Sequence, residues 1–585
     1  MSEKRFIPKM ENGSGGLRRM VKIFGKIRVP WYLYALQVIL ALITMKIGLS
    51  YVPYESQIKL GNIEDPAIIW SYIGLLLASV MLGVITAIPK FYAQHMVTRD
   101  LQEKMLSKSL RLPMREYEKH SSKMVSWIIQ DAQSANGAIG IVTGFLIGIG
   151  SVIMSISSMA AIEVSMIWIA GVVLGYIIVE TWVEGKLLFK RQQAEKRGAA
   201  DLTAYFSEHL GQFYQIKQLH AEEEEKRRSK EAIHSFYKID VYTETLTFII
   251  GLISGSLTSF INIIIFVIGV PMVRTHQMEL AELVAFQSYI QIAYSSLSTI
   301  PSFYTNLMYY SGELFYIGTL MDAKEEQIKR LHSMDIPDED IVFDNVSFSY
   351  DEDAETPTVK NASFTIPKGK VTAVVGPNGS GKSTVFKLIS RLYSPTSGTM
   401  RFGAYDAEDL HLDEWRQSMT YVLQDPQLFD GTIRDNITYG MSRSVTDDEV
   451  RAAARLAYAD GFIEEMPDGY DFMIGDNGSK LSAGQRQRIA IARAVMMDPA
   501  YLLLDEATCN IDVLSESEVT KAILELMKGR TTVMISHDMS ALNTVDNIVV
   551  LKDGKVEASG EKAEVIKKSA TLRKLIEANG ERSFE

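Results

Sequence analysis

The sequence predicts a six-helix α-helical transmembrane domain followed by an α/β domain, and three observations predict it. Residues 31–320 hold repeated apolar stretches of bilayer-crossing length. Residues 335–585 are charged, with short apolar or β-branched runs between glycine turns. The strand-like run Val371–Val375 leads directly into the glycine-rich stretch "GPNGSGKS" (376–383) and then into an apolar helical stretch. A chain of 585 residues is too long for a single domain. Its 47% hydrophobic and 22% charged composition is near the globular average because two unlike halves cancel. The net charge of −11 argues against a nucleic-acid partner, which would require a basic face. One cysteine, Cys509, excludes an intramolecular disulfide framework and thiolate metal clusters.

Six spans are expected near 31–52, 67–89, 138–162, 164–186, 246–273 and 280–310, each approaching the ~20 residues that cross the hydrocarbon layer. Residues 1–30 form a basic segment with Lys4, Arg5, Lys9, Arg18, Arg19, Lys22, Lys26 and Arg28. It resembles the start of a signal peptide. The apolar run Trp31–Val52 is too long for that and lacks a small-residue cleavage site, so it reads as a retained first span, and the residues ahead of it are too few for a peptidase domain. Glu180 and Glu184 in the fourth span, and Glu282, Gln287, Gln291 and Asn306 in the sixth, are costly against lipid. These helices are expected to face a cavity or extend into water. The segments 90–137 and 187–245 are rich in Lys and Arg, whereas the other connections are short and carry few. The positive-inside rule then places both termini and the two long segments in the cytoplasm of a multi-pass protein of the cell membrane.

Those two segments have helix-forming composition with few glycines and prolines, so the membrane helices are expected to continue beyond the bilayer and turn around. The expected turning points lie near 110–122 and 205–225; solvated hairpins without a partner are the alternative. The domain plan is a basic segment (1–30), a transmembrane domain (31–322), a charged linker (323–340) and a second domain (341–585). In the last, Tyr501–Leu504 and Thr531–Ile535 read as strands of a buried parallel sheet, and Ala483–Met497 reads as a helix.

The stretch 376–383 fits G-x-x-x-x-G-K-[ST] in a strand–loop–helix setting, which makes this an α/β P-loop nucleotide-binding domain. Gly376, Asn378, Gly379, Ser380 and Gly381 would turn backbone N–H groups toward phosphates at a helix N-terminus, with Thr384 just inside the helix. Lys382 would reach the β- and γ-phosphates of ATP, and Ser383 would ligate Mg2+. The strand "YLLLDE" ends in two carboxylates. Asp505 would hold Mg2+ through its water shell, and Glu506 would orient the attacking water. In "LSAGQRQ" (481–487), Ser482, Gly484 and Gln485 stand at the start of a long helix. Its exposed N–H groups suit a second phosphate as well as they suit an ordinary capped helix.

Taken together, "GPNGSGKS", "YLLLDE" and "LSAGQRQ" resemble the ATP-binding cassette (ABC) exporter family. The resemblance identifies further positions, which alone would read as a core tyrosine, a loop amide and a satisfied histidine. Tyr350 in "FSY" matches the aromatic that stacks on adenine. Gln424 in "YVLQDPQLF" matches the glutamine that touches Mg2+ and relays nucleotide state. His537 in "VMISH" matches the switch histidine at the γ-phosphate. The resemblance also implies six helices ahead of the cassette, coupling helices at the two turning points, and a half-transporter that works as a dimer. ATP held by one subunit would be closed over by Ser482 and Gly484 of the other. Closure would turn the cavity outward and hydrolysis at Glu506 would reset it, the energy lying in tighter ATP binding to the closed state.

Two departures stand out: Ala483 where the family has glycine, and "ATCNID" (507–512) where it has "ATSALD". With Glu506 and His537 intact, a homodimer is favoured and a heterodimer is the alternative. The expected activity is ATP hydrolysis driving export of an amphipathic or hydrophobic small molecule, peptide or lipid. An importer on the same fold and an ATP-gated channel or sensor are the alternatives. For the cargo, Phe286, Tyr289, Tyr294, Phe303, Tyr304, Tyr309 and Tyr310 with Met159 and Met166 suit an apolar surface, although packing of helix on helix explains them equally. Glu180, Glu184, Glu282 and Glu313 would favour a cation if they face the cavity.

Overall fold

The computed structural model describes residues 14–578 except 62–63, 298–302, 304–305, 308–309, 311–313, 315–316, 327–338, 352–355, 506–512 and 537–538. Contacts divide the chain into two units. The first comprises Met1–Leu110 and His120–Ala323, the second Arg111–Lys119 and Lys324–Glu585.

The first unit is helical. An amphipathic helix α1 (Ser14–Lys26) buries Met20 and Ile23, and is followed by α2 (Trp31–Lys59) and α3 (Pro66–Ser109). The helix α4 (Met114–Ser126) starts in the second unit and leads through a π-helical turn (Trp127–Asp131) to α5 (Ala132–Ile162). Then come α6 (Trp168–Leu187), α7 (Phe189–Gly211), the short α8 (Phe213–Gln218), α9 (Glu222–Arg274) and α10 (Leu280–Leu297). Among the described residues, three helical stretches are long and apolar enough to cross a membrane: Trp31–Lys59, Pro66–Ser109 and Met124–Ile162. Val164–Glu180 and Ser259–Arg274 are shorter apolar helices. At 1.5 Å per residue the 44-residue α3 is about 66 Å long and the 53-residue α9 about 80 Å. Both lengths are more than twice a hydrocarbon core of ~30 Å.

The core of this unit joins α2, α5, α6, α9 and α10 through Leu49, Met159, Ile169, Ile265 and Phe286. Close approach is achieved at glycines. A Cβ on Gly150 would lie 2.3 Å from Leu42, and one on Gly269 would lie 2.1 Å from Leu283. Buried polar groups pair across helices: Tyr289 donates to the Leu49 carbonyl at 3.1 Å, and the Ser151 and Ser296 hydroxyls share a 2.7 Å hydrogen bond. Met159, Met166, Phe286 and Tyr289 are all buried in this packing. For these four, helix-on-helix packing is the arrangement found. Glu282 accepts from the backbone N–H of Glu279 at 2.8 Å and so caps the start of α10. Glu180 is half-buried in α6. Tyr304, Tyr309 and Glu313 lie outside the described residues, as does the side chain of Glu184.

The second unit holds two sheets. The strands β1 (Ile341–Phe348), β2 (Val359–Ile366), β4 (Ser397–Phe402) and β5 (Tyr405–Asp406) form an antiparallel sheet in the order β2-β1-β4-β5. The larger sheet runs β10-β9-β3-β8-β7-β6, from β3 (Val371–Val375), β6 (Met419–Val422), β7 (Tyr501–Asp505), β8 (Thr531–Ile535), β9 (Asn547–Lys552) and β10 (Lys555–Glu561). All its neighbours are parallel except the edge strand β10. Both faces of its central strands are covered, which explains their apolar and β-branched composition. Along β7, Tyr501 and Leu503 enter the core shared with the antiparallel sheet, while Leu502 and Leu504 enter a second core with the helix Ala483–Met497. Trp415 is fully buried in the first core, and its indole N–H donates to the Ile389 carbonyl at 2.8 Å.

Candidate nucleotide site

The parallel register brings the chemistry to one edge. Val374 of β3 pairs with Ile535 of β8, which pairs with Asp505 of β7. The chain leaves β3 into the loop 376–381, β7 toward Glu506, β8 toward His537 and β6 toward Gln424. This is the carboxyl edge of an open parallel sheet, where α/β proteins hold ligands. Glu506 and His537 themselves lie outside the described residues.

The loop after β3 is shaped by glycines. Gly376 has φ +155°, and a Cβ there would stand 2.1 Å from the Leu551 carbonyl oxygen of β9. Gly379 (φ +79°) and Gly381 (φ +103°) are left-handed, and Gly381 caps the helix Lys382–Ile389. Lys382 is almost fully buried, and its ammonium donates to the carbonyls of Gly376 (2.9 Å) and Pro377 (3.2 Å). The cation is thus tied to the loop it serves. Asn378 and Ser383 are exposed, while Ser380 and Thr384 are buried. Tyr350, partly exposed, shares a 3.2 Å hydroxyl contact with Thr384, and the Lys387 ammonium lies 5.1 Å above its ring.

At the end of β7, Asp505 accepts a 3.1 Å hydrogen bond from the Tyr421 hydroxyl. Burial, then the Asp505 carboxylate, push the Tyr421 phenol above its ordinary range, which keeps it a donor. Sequence reasoning missed Tyr421. The available signal was one polar aromatic in the apolar run "MTYV", three residues before Gln424. Asp505, the exposed hydroxyl of Ser383 and the exposed amide of Gln424 are hard oxygen donors. Among the described residues no group of three His, Cys, Asp or Glu gathers as a metal site. A divalent ion here would complete its shell from phosphates and water, as Mg2+ commonly does.

The helix Ala483–Met497 opens with a reciprocal cap. The Ser482 hydroxyl accepts from Gln485 N at 3.2 Å, and the Gln485 side chain accepts from Ser482 N at 2.9 Å. Further along, Gln487 donates to the Leu423 carbonyl at 3.2 Å, tying this helix to the loop that carries Gln424. Among the described residues, Ser482, Gly484 and Gln485 make their hydrogen bonds within their own helix. Ala483 is exposed and absent from the left-handed backbone positions, so its Cβ meets no strain. Ala483→Gly is therefore expected to change ATPase turnover by less than about twofold, because a helix-start glycine costs only tenths of a kcal/mol. A tenfold gain on reverting to glycine would show that the Cβ obstructs catalysis.

Comparison with known proteins bears on both units. Residues 359–509 match the ABC transporter family, and residues 32–297 match the ABC transporter transmembrane region. Over 503 residues the chain is 30% identical to a multidrug resistance ABC transporter ATP-binding and permease protein of Lactococcus lactis subsp. lactis (strain IL1403), covering 84% of each chain. It is 34% identical over 405 residues to the ABC transporter ATP-binding protein YfiC of Bacillus subtilis (strain 168), covering 68% of this chain and 66% of that one. The solved structure of a bacterial Atm1-family ABC exporter with ATP bound matches 98% of this chain and 100% of that one with a TM-score of 0.80 at 22% identity, a likeness of fold. With a transmembrane region and an ATP-binding domain in one polypeptide, the chain belongs to the ABC transporter family and couples ATP hydrolysis to transport.

Proposed function

We propose that this chain is a half-transporter that exports an amphipathic or hydrophobic cargo (a drug-like compound, a peptide or a lipid) across the cell membrane by alternating access. The observation that carries the reading is the union in one polypeptide of a transmembrane region, matched over 32–297, and an ATP-binding domain, matched over 359–509; in this reading the membrane domain has six spans within 31–322 and is joined by a linker (323–340) to a cassette (341–585). In this reading the loop 376–383 of one cassette and the helix start at Ser482 of a second cassette together complete each ATP site. Support for export comes from the relatives, since the Lactococcus lactis protein is a multidrug transporter that matches along most of its length.

In this mechanism adenine stacks on Tyr350, and Gly376, Asn378, Gly379, Ser380, Gly381 and Thr384 line the phosphate loop. Lys382 holds the β- and γ-phosphates. Ser383, Gln424 and, through water, Asp505 would hold Mg2+, which would neutralise charge on the phosphates. Glu506 directs the attacking water, with His537 at the γ-phosphate. Ser482, Gly484 and Gln485 of the second subunit close the site. Both termini and the cassette are cytoplasmic.

The reading is tested by ATP-dependent uptake into inside-out vesicles, screening hydrophobic cationic dyes, peptides and lipids. Uptake with cargo-stimulated hydrolysis supports export. Efflux from such vesicles would mean an importer, and hydrolysis-independent leak would mean a channel.

The pairing of identical chains has its own test. Cys509 lies in the segment after Glu506 that, in this family, nears its counterpart when two cassettes close. A disulfide needs Cα atoms within about 7 Å, so a short bifunctional thiol reagent is the safer probe. The purified Glu506→Gln protein is expected to give a cross-linked dimer on a denaturing gel with ATP and Mg2+, and none without nucleotide or in Cys509→Ser. No band, together with negligible ATPase activity of the wild-type protein alone, would point to a heterodimer.

A further inference from the structure

The segment Arg111–Lys119 follows directly on the long helix α3 yet belongs to the second unit. It is gripped there by hydrogen bonds at three points, and also by apolar packing. The Glu326 N–H donates to the Arg111 carbonyl at 2.9 Å, and the Glu326 carboxylate in turn takes a two-pronged contact from Arg416 at 2.8 and 2.9 Å. Leu112 is buried, and Met114 packs on the main core. Arg115 donates to the carbonyl of Ser349 at 2.7 Å, one peptide unit ahead of Tyr350. Glu118 accepts from the hydroxyl of Tyr393.

Tyr393 belongs to the cluster around Tyr350. Its ring meets Tyr350 edge-on, with centroids 5.3 Å apart and planes at 82°, and meets Phe348 at 5.3 Å. Lys387, from the helix after the phosphate loop, places its ammonium 5.1 Å from the Tyr350 ring and 5.6 Å from the Tyr393 ring. Two of the three grips on the segment therefore fall on the groups that hold Tyr350. Neither involves Lys382, Asp505 or the loop before Gln424. Tyr393 stays a donor, because burial and then the Glu118 carboxylate push its phenol above the ordinary range.

We propose that Glu118 and Tyr393 are positioning residues that couple the aromatic under the nucleotide base to the segment Arg111–Lys119, so that the base, separately from the phosphates, sets where this segment sits. A base on Tyr350 restricts that ring, the ring restricts Tyr393 through their edge contact, and the Tyr393 hydroxyl carries the restriction to Glu118. The Arg115–Ser349 bond gives the same backbone a second hold. A nucleotide-state relay through Gln424 would sense the phosphate side; this one senses the base. The inference rests on the proposed reading of Tyr350 as the base-stacking aromatic.

The test uses full-length protein carrying Cys509→Ser, Glu506→Gln and a fluorophore on Lys119→Cys, an exposed position of the segment. Its emission is titrated with ATP and with inorganic tripolyphosphate, which has phosphates and no base. ATP is expected to change the emission about fivefold more than saturating tripolyphosphate, the low end of allosteric couplings. Tyr393→Phe, which keeps the ring and removes one hydroxyl, should reduce the ATP response to the tripolyphosphate level. Glu118→Ala, at an exposed residue, should do the same without disturbing the core. Glu118→Gln, whose amide oxygen still accepts, should retain the response, and the Tyr393→Phe/Glu118→Ala double variant should be no worse than either single one. Equal responses to the two ligands in the parent protein, or a full ATP response in both Tyr393→Phe and Glu118→Ala, would overturn the relay. Tyr350→Ala separates the two readings. If its preference for ATP over tripolyphosphate is unchanged, Tyr350 does not hold the base. If that preference falls while Tyr393→Phe responds normally, only the relay fails.

Discussion

Glu506→Gln is expected to bind ATP as the wild-type protein does and to lose turnover by about 10²-fold or more, the contribution of a positioned general base. In the sequence the residue follows directly on β7, whose last member Asp505 is held by Tyr421. The amide keeps the size and polarity of the carboxylate and removes its ability to take the proton of the attacking water. Lys382→Ala should differ in kind. It removes a buried cation that ties two loop carbonyls together, so ATP affinity should fall along with turnover. Equilibrium ATP binding and steady-state phosphate release on both variants separate the two roles. Turnover near wild type in Glu506→Gln would remove Glu506 from the mechanism.

Gly376→Ala is expected to abolish ATP binding and lower the melting temperature, although it adds a single methyl. The new Cβ would sit 2.1 Å from the Leu551 carbonyl oxygen and 2.8 Å from the Ser380 hydroxyl. The carbonyl cannot yield easily, because β9 is paired with β3 at Val375↔Val550, the residue before the glycine. The loop must move instead, and a backbone forced from its conformation costs on the order of 1–3 kcal/mol before the clash is counted. Gly379→Ala is the matched control: its φ is +79°, but nothing lies within 4 Å of its Cβ position. It should lose only the left-handed preference, roughly 1–2 kcal/mol. Nucleotide binding and thermal unfolding of the two variants check the order. A Gly379→Ala protein more impaired than Gly376→Ala would show that backbone conformation, not the contact with β9, controls the loop.

Much of the nucleotide side was legible because its chemistry is local. The loop 376–383 needs glycines at set intervals and a lysine just before a helix, and those requirements are met by neighbours in the chain. The start of the helix at Ser482 was readable for the same reason, since a cap and its partner Gln485 are three residues apart. The strands Val371–Val375 and Thr531–Ile535 have their expected ends, because a strand buried on both faces is built of apolar and β-branched residues and stops where that run ends. The first strand runs on from Ile341–Phe343 to Phe348. Its Asp344 and Asn345 break the apolar run, and the pairing to β2 and β4 shifts register there before it resumes at Val346 and Ser347.

Contacts between residues far apart in the chain had no such signal. Nothing near Tyr421 says that its hydroxyl reaches Asp505, 84 residues on. Nothing near Glu118 points to Tyr393, 275 residues away. The cargo residues show the same limit: a methionine or phenylalanine in a membrane helix has one appearance in sequence whether it lines a cavity or fills a core. The packing of α2, α5, α6, α9 and α10 put Met159, Met166 and Phe286 in the core, and the cap at Glu279 took Glu282. Residue order and local chemistry determined the family, the phosphate loop and the run of elements, since those depend on spacings of a few residues. Which side chains meet across those elements was settled by the register of the parallel sheet and the approach of helices at glycines. Both depend on the whole chain having closed on itself.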